Sequence, residues 1–208
     1  MQRNHVLPAL MLLAALAACE GTSPTGGADA SLTQAEAAEL ATAWDEVGAG
    51  AMDGYGGPSF DLAPGDPAQA TTTTTLQFTT TRTCPGGGTA TLQGSRELSR
   101  DGQGNGSMTF SATRTDAACA FARRGAGPVT ITTTPTVQLT SEQTLTAGQP
   151  GTRTSTQKGS FEWTRCASGA SGSCTVDLTA TWTPATHTYT LNGTFCNRTV
   201  SVTRTRNG

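Results

Sequence analysis

The residues able to do chemistry are few and widely separated. Apart from His5, the only histidine is His187, in the turn-like sequence Pro184-Ala185-Thr186-His187, with no Gly-x-Ser-x-Gly elbow or other nucleophile motif near it. It reads as an exposed turn residue rather than a general base. Asp101, Gln103, Asn105 and Gly106 echo a calcium loop, but position twelve of that pattern is Ala112 where a bidentate Glu is needed. The alternating segments on either side make a hairpin turn the better reading. Asp45 and Glu46 are adjacent in a helical pattern, where neighbours point apart, and they read as surface charge. There is no Cys-x-x-Cys, no paired histidine, no phosphate-cradling loop and no zincin motif. The expectation is therefore no catalytic residue, no metal and no cofactor: not an enzyme.

The N-terminus carries the sharpest motif. A short polar start with Arg3 precedes an apolar run from Val6 to Ala18, too short to span a bilayer and followed by small residues, the pattern of a secretory signal. Leu16-Ala17-Ala18-Cys19 resembles the lipobox of bacterial lipoproteins at every position. That resemblance covers only the first 19 residues. It implies that the Cys19 thiol receives a diacylglyceryl group, that the chain is cut just before Cys19, and that the new amino group is acylated. The physics agrees: at ~0.8 kcal/mol per buried methylene one acyl chain anchors weakly, while two or three hold durably. Glu20 follows Cys19 in place of the Asp that retains such proteins at the inner membrane of enteric bacteria, so the resemblance points to the outer membrane.

With Cys19 assigned to lipid, Cys84, Cys119, Cys166, Cys174 and Cys196 remain for a compartment in which disulfides persist. Spacing along a meander favours Cys84 with Cys119 and Cys174 with Cys196. Cys166 with Cys174 is a close rival, because face parity disfavours Cys174 with Cys196. Five cysteines leave one thiol over and do not fix the connectivity. Charge is divided: nine acids and no Lys or Arg lie between Glu20 and Asp66, whereas twelve basic residues face six acids from Pro67 onward. Arg123, Arg124, Arg204 and Arg206 are candidates to meet phosphates of an envelope glycolipid. The simpler reading is of solvated strand faces, with the acidic leader docked on a basic sheet.

The elements that must position these residues follow from pattern. Residues 1–18 are the signal and 19–31 a Gly/Thr/Ser/Pro tether. Thr33-Gln34-Ala35-Glu36 is a capping box with Leu32 placed to staple onto Ala37, so a helix is expected over 32–48, ending at Gly48. Its narrow stripe of Leu40, Trp44 and Val47 suits packing on a sheet or over its open end. Residues 49–70 form a Gly/Pro linker. Residues 71–208 alternate with period two, as in Leu76/Phe78, Met108/Phe110, Phe161/Trp163 and Val176/Leu178/Ala180/Trp182. This predicts an all-β domain of eight or nine antiparallel strands in meander order, closed as a small barrel or paired as a sandwich. Trp182 should pair with Tyr189 and Val176 with Phe195, and a tight turn or bulge at Cys196-Asn197-Arg198 is needed to keep Phe195 and Val200 on one face. The 41 threonines suit the outer face, being β-branched and polar at once.

Composition narrows the function. The chain has 208 residues, 35% hydrophobic and 13% charged, with a formal charge of -2, which argues against nucleic acid as a partner. The expected partner is the membrane, through lipid on Cys19, with an envelope glycolipid or protein beyond it. Two functions are weighed: a non-enzymatic structural or interaction module, and a carrier of lipophilic ligands whose cavity would be lined by Trp163, Trp182, Tyr189 and Phe195. A transmembrane barrel is disfavoured by missing aromatic girdles and the Arg-rich tail.

Overall fold

The computed structural model describes residues 32–53, 71–122, 127–133 and 137–205. Cys19, Arg123, Arg124 and Arg206, the tether and most of the linker lie outside them.

The period-two segments become strands, and the helical pattern becomes the helix α1 (Gln34–Asp53). The strands are β1 (Thr72–Thr83), β2 (Thr89–Arg100), β3 (Gly106–Ala117), β4 (Cys119–Phe121), β5 (Val129–Thr132), β6 (Val137–Thr146), β7 (Gln149–Arg165), β8 (Ser171–Thr183), β9 (Thr188–Phe195) and β10 (Arg198–Thr205). All belong to one antiparallel sheet ordered β1-β2-β3-β6-β7-β8-β9-β10, with β4 and β5 joined to β7 off that path. The sheet is neither closed into a barrel nor divided into a sandwich. The alternation of Val129 and Ile131 marks β5, and the tenth strand, beyond the expected eight or nine, is β4, only 3 residues long and too short to show a period of its own.

The expected cross-strand pairs form: Trp182 opposes Tyr189 and Val176 opposes Phe195. Cys196 and Asn197 both take the left-handed conformation, at φ 53° and 59°, and close a two-residue hairpin in which Phe195 opposes Arg198. That turn restores parity and puts Val200 beside Phe195 in the core.

Across most of the sheet the inner face buries apolar residues and the outer face carries threonine, as in the buried–exposed alternation of β6. The inner face curls around α1, which touches β1, β2 and β4 on one side and β9 and β10 on the other. Thr33 caps the helix as expected: its backbone N–H donates to Glu36 Oε2 at 2.6 Å and its Oγ1 accepts from the Glu36 N–H at 3.3 Å. Leu32 and Ala37 are both buried. The helix does not stop at Gly48 but runs to Asp53. Gly48 instead lies against strand side chains, for a Cβ there would lie 3.2 Å from Arg114 Nη1 and 3.8 Å from Leu139 Cδ2. Among the described residues no helix is long and apolar enough to cross a membrane.

Candidate functional site

Trp44 sits at the centre of the curl, fully buried, with Phe161 and Phe195 each 5.8 Å from its ring. Against its face lies a group that the sequence reading passed over. Arg114, also fully buried, places its guanidinium 4.1 Å from the Trp44 ring centre. Its Nε donates to both oxygens of Asp116 at 3.0 Å, its Nη2 donates to Oδ1 at 2.8 Å, and its Nη1 donates to the Trp44 carbonyl oxygen at 2.7 Å. Asp116 in turn accepts the Trp44 indole N–H at 3.2 Å, and its backbone N–H donates to Thr133 Oγ1. Burial pushes the Arg114 guanidinium below its ordinary value, while the adjacent Asp116 charge pulls it back up. The pair thus ties one helix residue to β3 by a ring contact, a donated indole proton and an accepted guanidinium proton.

A second polar group lies one residue further along α1. Asp45 is not surface charge, as its neighbour Glu46 is; only 1% of it is exposed. Its two oxygens accept from Gln157 Nε2 on β7 and from the Tyr189 hydroxyl on β9. Burial raises its carboxyl above the ordinary value, against the lowering effects of the Tyr189 bond and of the Arg114 and Arg153 charges. Tyr189 is likewise pushed up, first by burial and then by the Asp45 charge. Gln157 Oε1 is buried without a hydrogen-bond partner among the described residues.

At the mouth of this seam, Asp45, Glu46, Ala49, Arg153, Trp182, Tyr189 and Arg204 line a cleft of about 60 Å³. An adjoining cleft of about 20 Å³ reaches Ser155 and Ala180. The four aromatic residues proposed to line a cavity are therefore divided. Trp182 and Tyr189 border the cleft, whereas Trp163 and Phe195 are buried in the packed core. Arg204 meets Glu46 at 2.6 Å and Arg165 meets Glu36 at 3.0 Å, so acids of the leader helix do dock on basic strand residues. Lys158 pairs with Asp177 across β7 and β8 on the outer face at 3.2 Å. His187 is exposed in a left-handed turn, its ring edge-on to Trp182 at 6.2 Å.

Cys84 is bonded to Cys119 and Cys174 to Cys196, the favoured pairing. Parity does not forbid the second bond, because the left-handed Cys196 leaves the strand and brings its Cα within 4.5 Å of Cys174. No cysteine among the described residues is free, so the expectation of a leftover thiol is not met there. Asp116, Cys84 and Cys119 bring ligand atoms within 4.8 Å of one another, a spacing that suits a metal. Here the two sulfurs are bonded to each other and the carboxylate is held by Arg114. Asp101 serves its hairpin turn, accepting the backbone N–H groups of Gln103 and Asn105 at 2.9 and 2.8 Å. The Asn105 side chain lowers the Asp101 carboxyl below its ordinary value by donating to it.

The buried charges had a sequence signal that was not used. Met108 and Phe110 establish the inward parity of β3, and carrying it on through Ala112 reaches Arg114 and Asp116. The same step from Phe161 and Trp163 back along β7 reaches Gln157, Ser155 and Arg153. The chain matches no family model, no curated protein and no solved structure.

Proposed function

We propose that this chain is an envelope lipoprotein anchored through lipid on Cys19, whose β domain serves as a non-enzymatic structural or interaction module. The observation that carries the reading is the filled inner face. The space that a carrier of lipophilic ligands would keep open is taken by Trp44, Leu40 and Ala41 of the chain's own helix. The clefts beside it are of about 60 and 20 Å³ and bordered by Asp45 and Arg153, against several hundred Å³ and apolar walls for a typical small-molecule site. The polar residues gathered around Trp44 and Asp45 are engaged with one another, and their common effect is to fix the helix. The anchor rests on Leu16-Ala17-Ala18-Cys19 and the apolar run before it, and the outer-membrane placement on Glu20.

The test is the intact mass and non-reducing peptide map of the mature protein extracted gently from its own envelope, beside a Cys19→Ser control. The expected result is an N-terminal Cys19 carrying acyl mass, with no small lipophile retained by the folded domain. A Cys19 sulfur found free or in a disulfide contradicts the anchor. A co-purifying lipophile lost in Trp182→Ala or Tyr189→Ala contradicts the module in favour of a carrier.

A further inference from the structure

The chain holds three Asn-Gly pairs, Asn105-Gly106, Asn192-Gly193 and Asn207-Gly208, the last of them outside the described residues. Such a pair carries its own reaction. The glycine nitrogen can attack the carbonyl carbon of the asparagine side chain, because no Cβ on the glycine stands in the way. The fold places the two described pairs oppositely. Asn192 lies within β9, opposite Thr179 of β8 and Ser201 of β10, and its Oδ1 accepts the Ser201 hydroxyl proton at 3.0 Å. Closing a succinimide ring there means leaving the extended conformation and breaking strand pairing on both sides. Asn105 is instead the last residue of the turn between β2 and β3, flanked by Gly104 and Gly106. Ring closure there disturbs only a hairpin tip, the kind of segment that opens at the low end of the local stability range.

We propose that Asn105 is a site of deamidation in the folded protein, and that the new carboxylate parts two hairpin turns that the amide clasps. The Asn105 side chain joins the β2–β3 turn to the β6–β7 turn. Ala147 N–H donates to its Oδ1 at 3.0 Å, and beside it Gly148 N–H donates to the Gly104 carbonyl oxygen at 2.9 Å. Asn105 Nδ2 donates to Asp101 Oδ2 at 3.1 Å. The same contacts suit the reaction. As the Gly106 nitrogen bonds to Asn105 Cγ, negative charge develops on Oδ1, to which the Ala147 N–H already donates. The Cγ–Nδ2 bond then breaks, the proton of the Gly106 nitrogen leaves with Nδ2 as ammonia, and water opens the succinimide to aspartate or isoaspartate. The product still offers Ala147 an acceptor, but a carboxylate now stands where the Nδ2 donor faced Asp101. Asp101 is held charged by the bonds of its turn, so two like charges meet and repel. The reaction needs only this turn and water, and it is independent of the lipid anchor.

The experiment ages the exported chain with Cys19→Ser, folded and in urea, at mildly alkaline pH, so that failure here leaves the anchor untouched. Peptide mapping by mass spectrometry, with isoaspartyl methyltransferase labelling, reads each asparagine separately. In the folded chain Asn105 is expected to convert at least tenfold faster than Asn192, while in urea the two Asn-Gly pairs convert at similar rates. An Asn105 amide that persists while the chain is folded, or equal conversion of Asn105 and Asn192 in the folded chain, overturns the proposal. The clasp is read in Asn105→Asp, whose circular dichroism should match the parent. Amide exchange at Ala147 and Gly148 is expected to rise at least tenfold, with the β9 amides unchanged. Unaltered exchange at Ala147 and Gly148 contradicts the parting of the two turns.

Discussion

Arg114 and Asp45 show how much of the interior is decided by single polar side chains. Breaking a buried ion pair by removing one member typically costs ~3–5 kcal/mol, because the other charge is left uncompensated. Arg114→Met should therefore lower unfolding stability by about that amount, and Arg114→Met with Asp116→Leu should recover much of it; chemical denaturation of the three chains is the check. Asp45 has the opposite character. Its carboxyl is raised in the folded state, so the folded protein holds the proton more tightly than the unfolded chain. The stability it contributes is complete below the ordinary carboxylate value and is lost as pH rises through the raised one. Asp45→Asn, which keeps an acceptor for Gln157, should thus gain stability relative to the parent as pH rises from 4 to 7, by ~1.4 kcal/mol for each unit of displacement. Thermal melts across that range test it, and a difference that shrinks with pH contradicts it. Neither place shows in the apolar pattern alone: Arg114 follows Met108 and Phe110 in parity but a charged type gives no sign of burial, and Asp45 shares a buried face with Trp44 only once the sheet wraps beyond the narrow apolar stripe.

At the scale of elements, the local signals were legible and the long-range ones were not. The capping box at Thr33, the Trp182–Tyr189 hairpin and the turn at Cys196 all followed from spacing within one or two neighbouring segments, whereas spacing favoured the two cysteine pairings without fixing them. Gly48 was misjudged because glycine after a helical pattern commonly ends a helix, whereas here it admits Arg114 and Leu139 to the helix surface. Only the fold of distant β3 and β6 onto α1 reveals that. Gly48→Val should accordingly destabilise the domain by ~1–3 kcal/mol through overpacking, although replacing glycine within a helix ordinarily helps. Denaturation midpoints decide it, and a stabilised Gly48→Val chain would mean that the helix does not approach the sheet there. Removing the Cys174–Cys196 bond by a double Ala substitution should cost ~2–4 kcal/mol, read in the same way.

The whole molecule is a sheet that curls without closing, with its own helix in the hollow. Few large apolar residues in a threonine-rich chain imply a thin core, which the sequence suggests is enclosed by a small barrel or a sandwich; the single sheet forms neither. What the sequence did not announce was that α1 would fill the hollow instead of covering its end, because that depends on Trp44 finding Phe161, Phe195 and Arg114 from three different strands at once. The filled hollow is also what separates an anchored module from a carrier. Amide hydrogen exchange of the helix measures it most directly. With the helix seated, the amides from Leu40 to Val47 should exchange only as slowly as those of the central strands β6 to β8, and an apolar probe dye should neither bind nor change that rate. Helix amides that exchange orders of magnitude faster than those strands, or that are exposed when the dye enters, would show that the hollow opens, and the filled interior on which the proposed function rests would be contradicted.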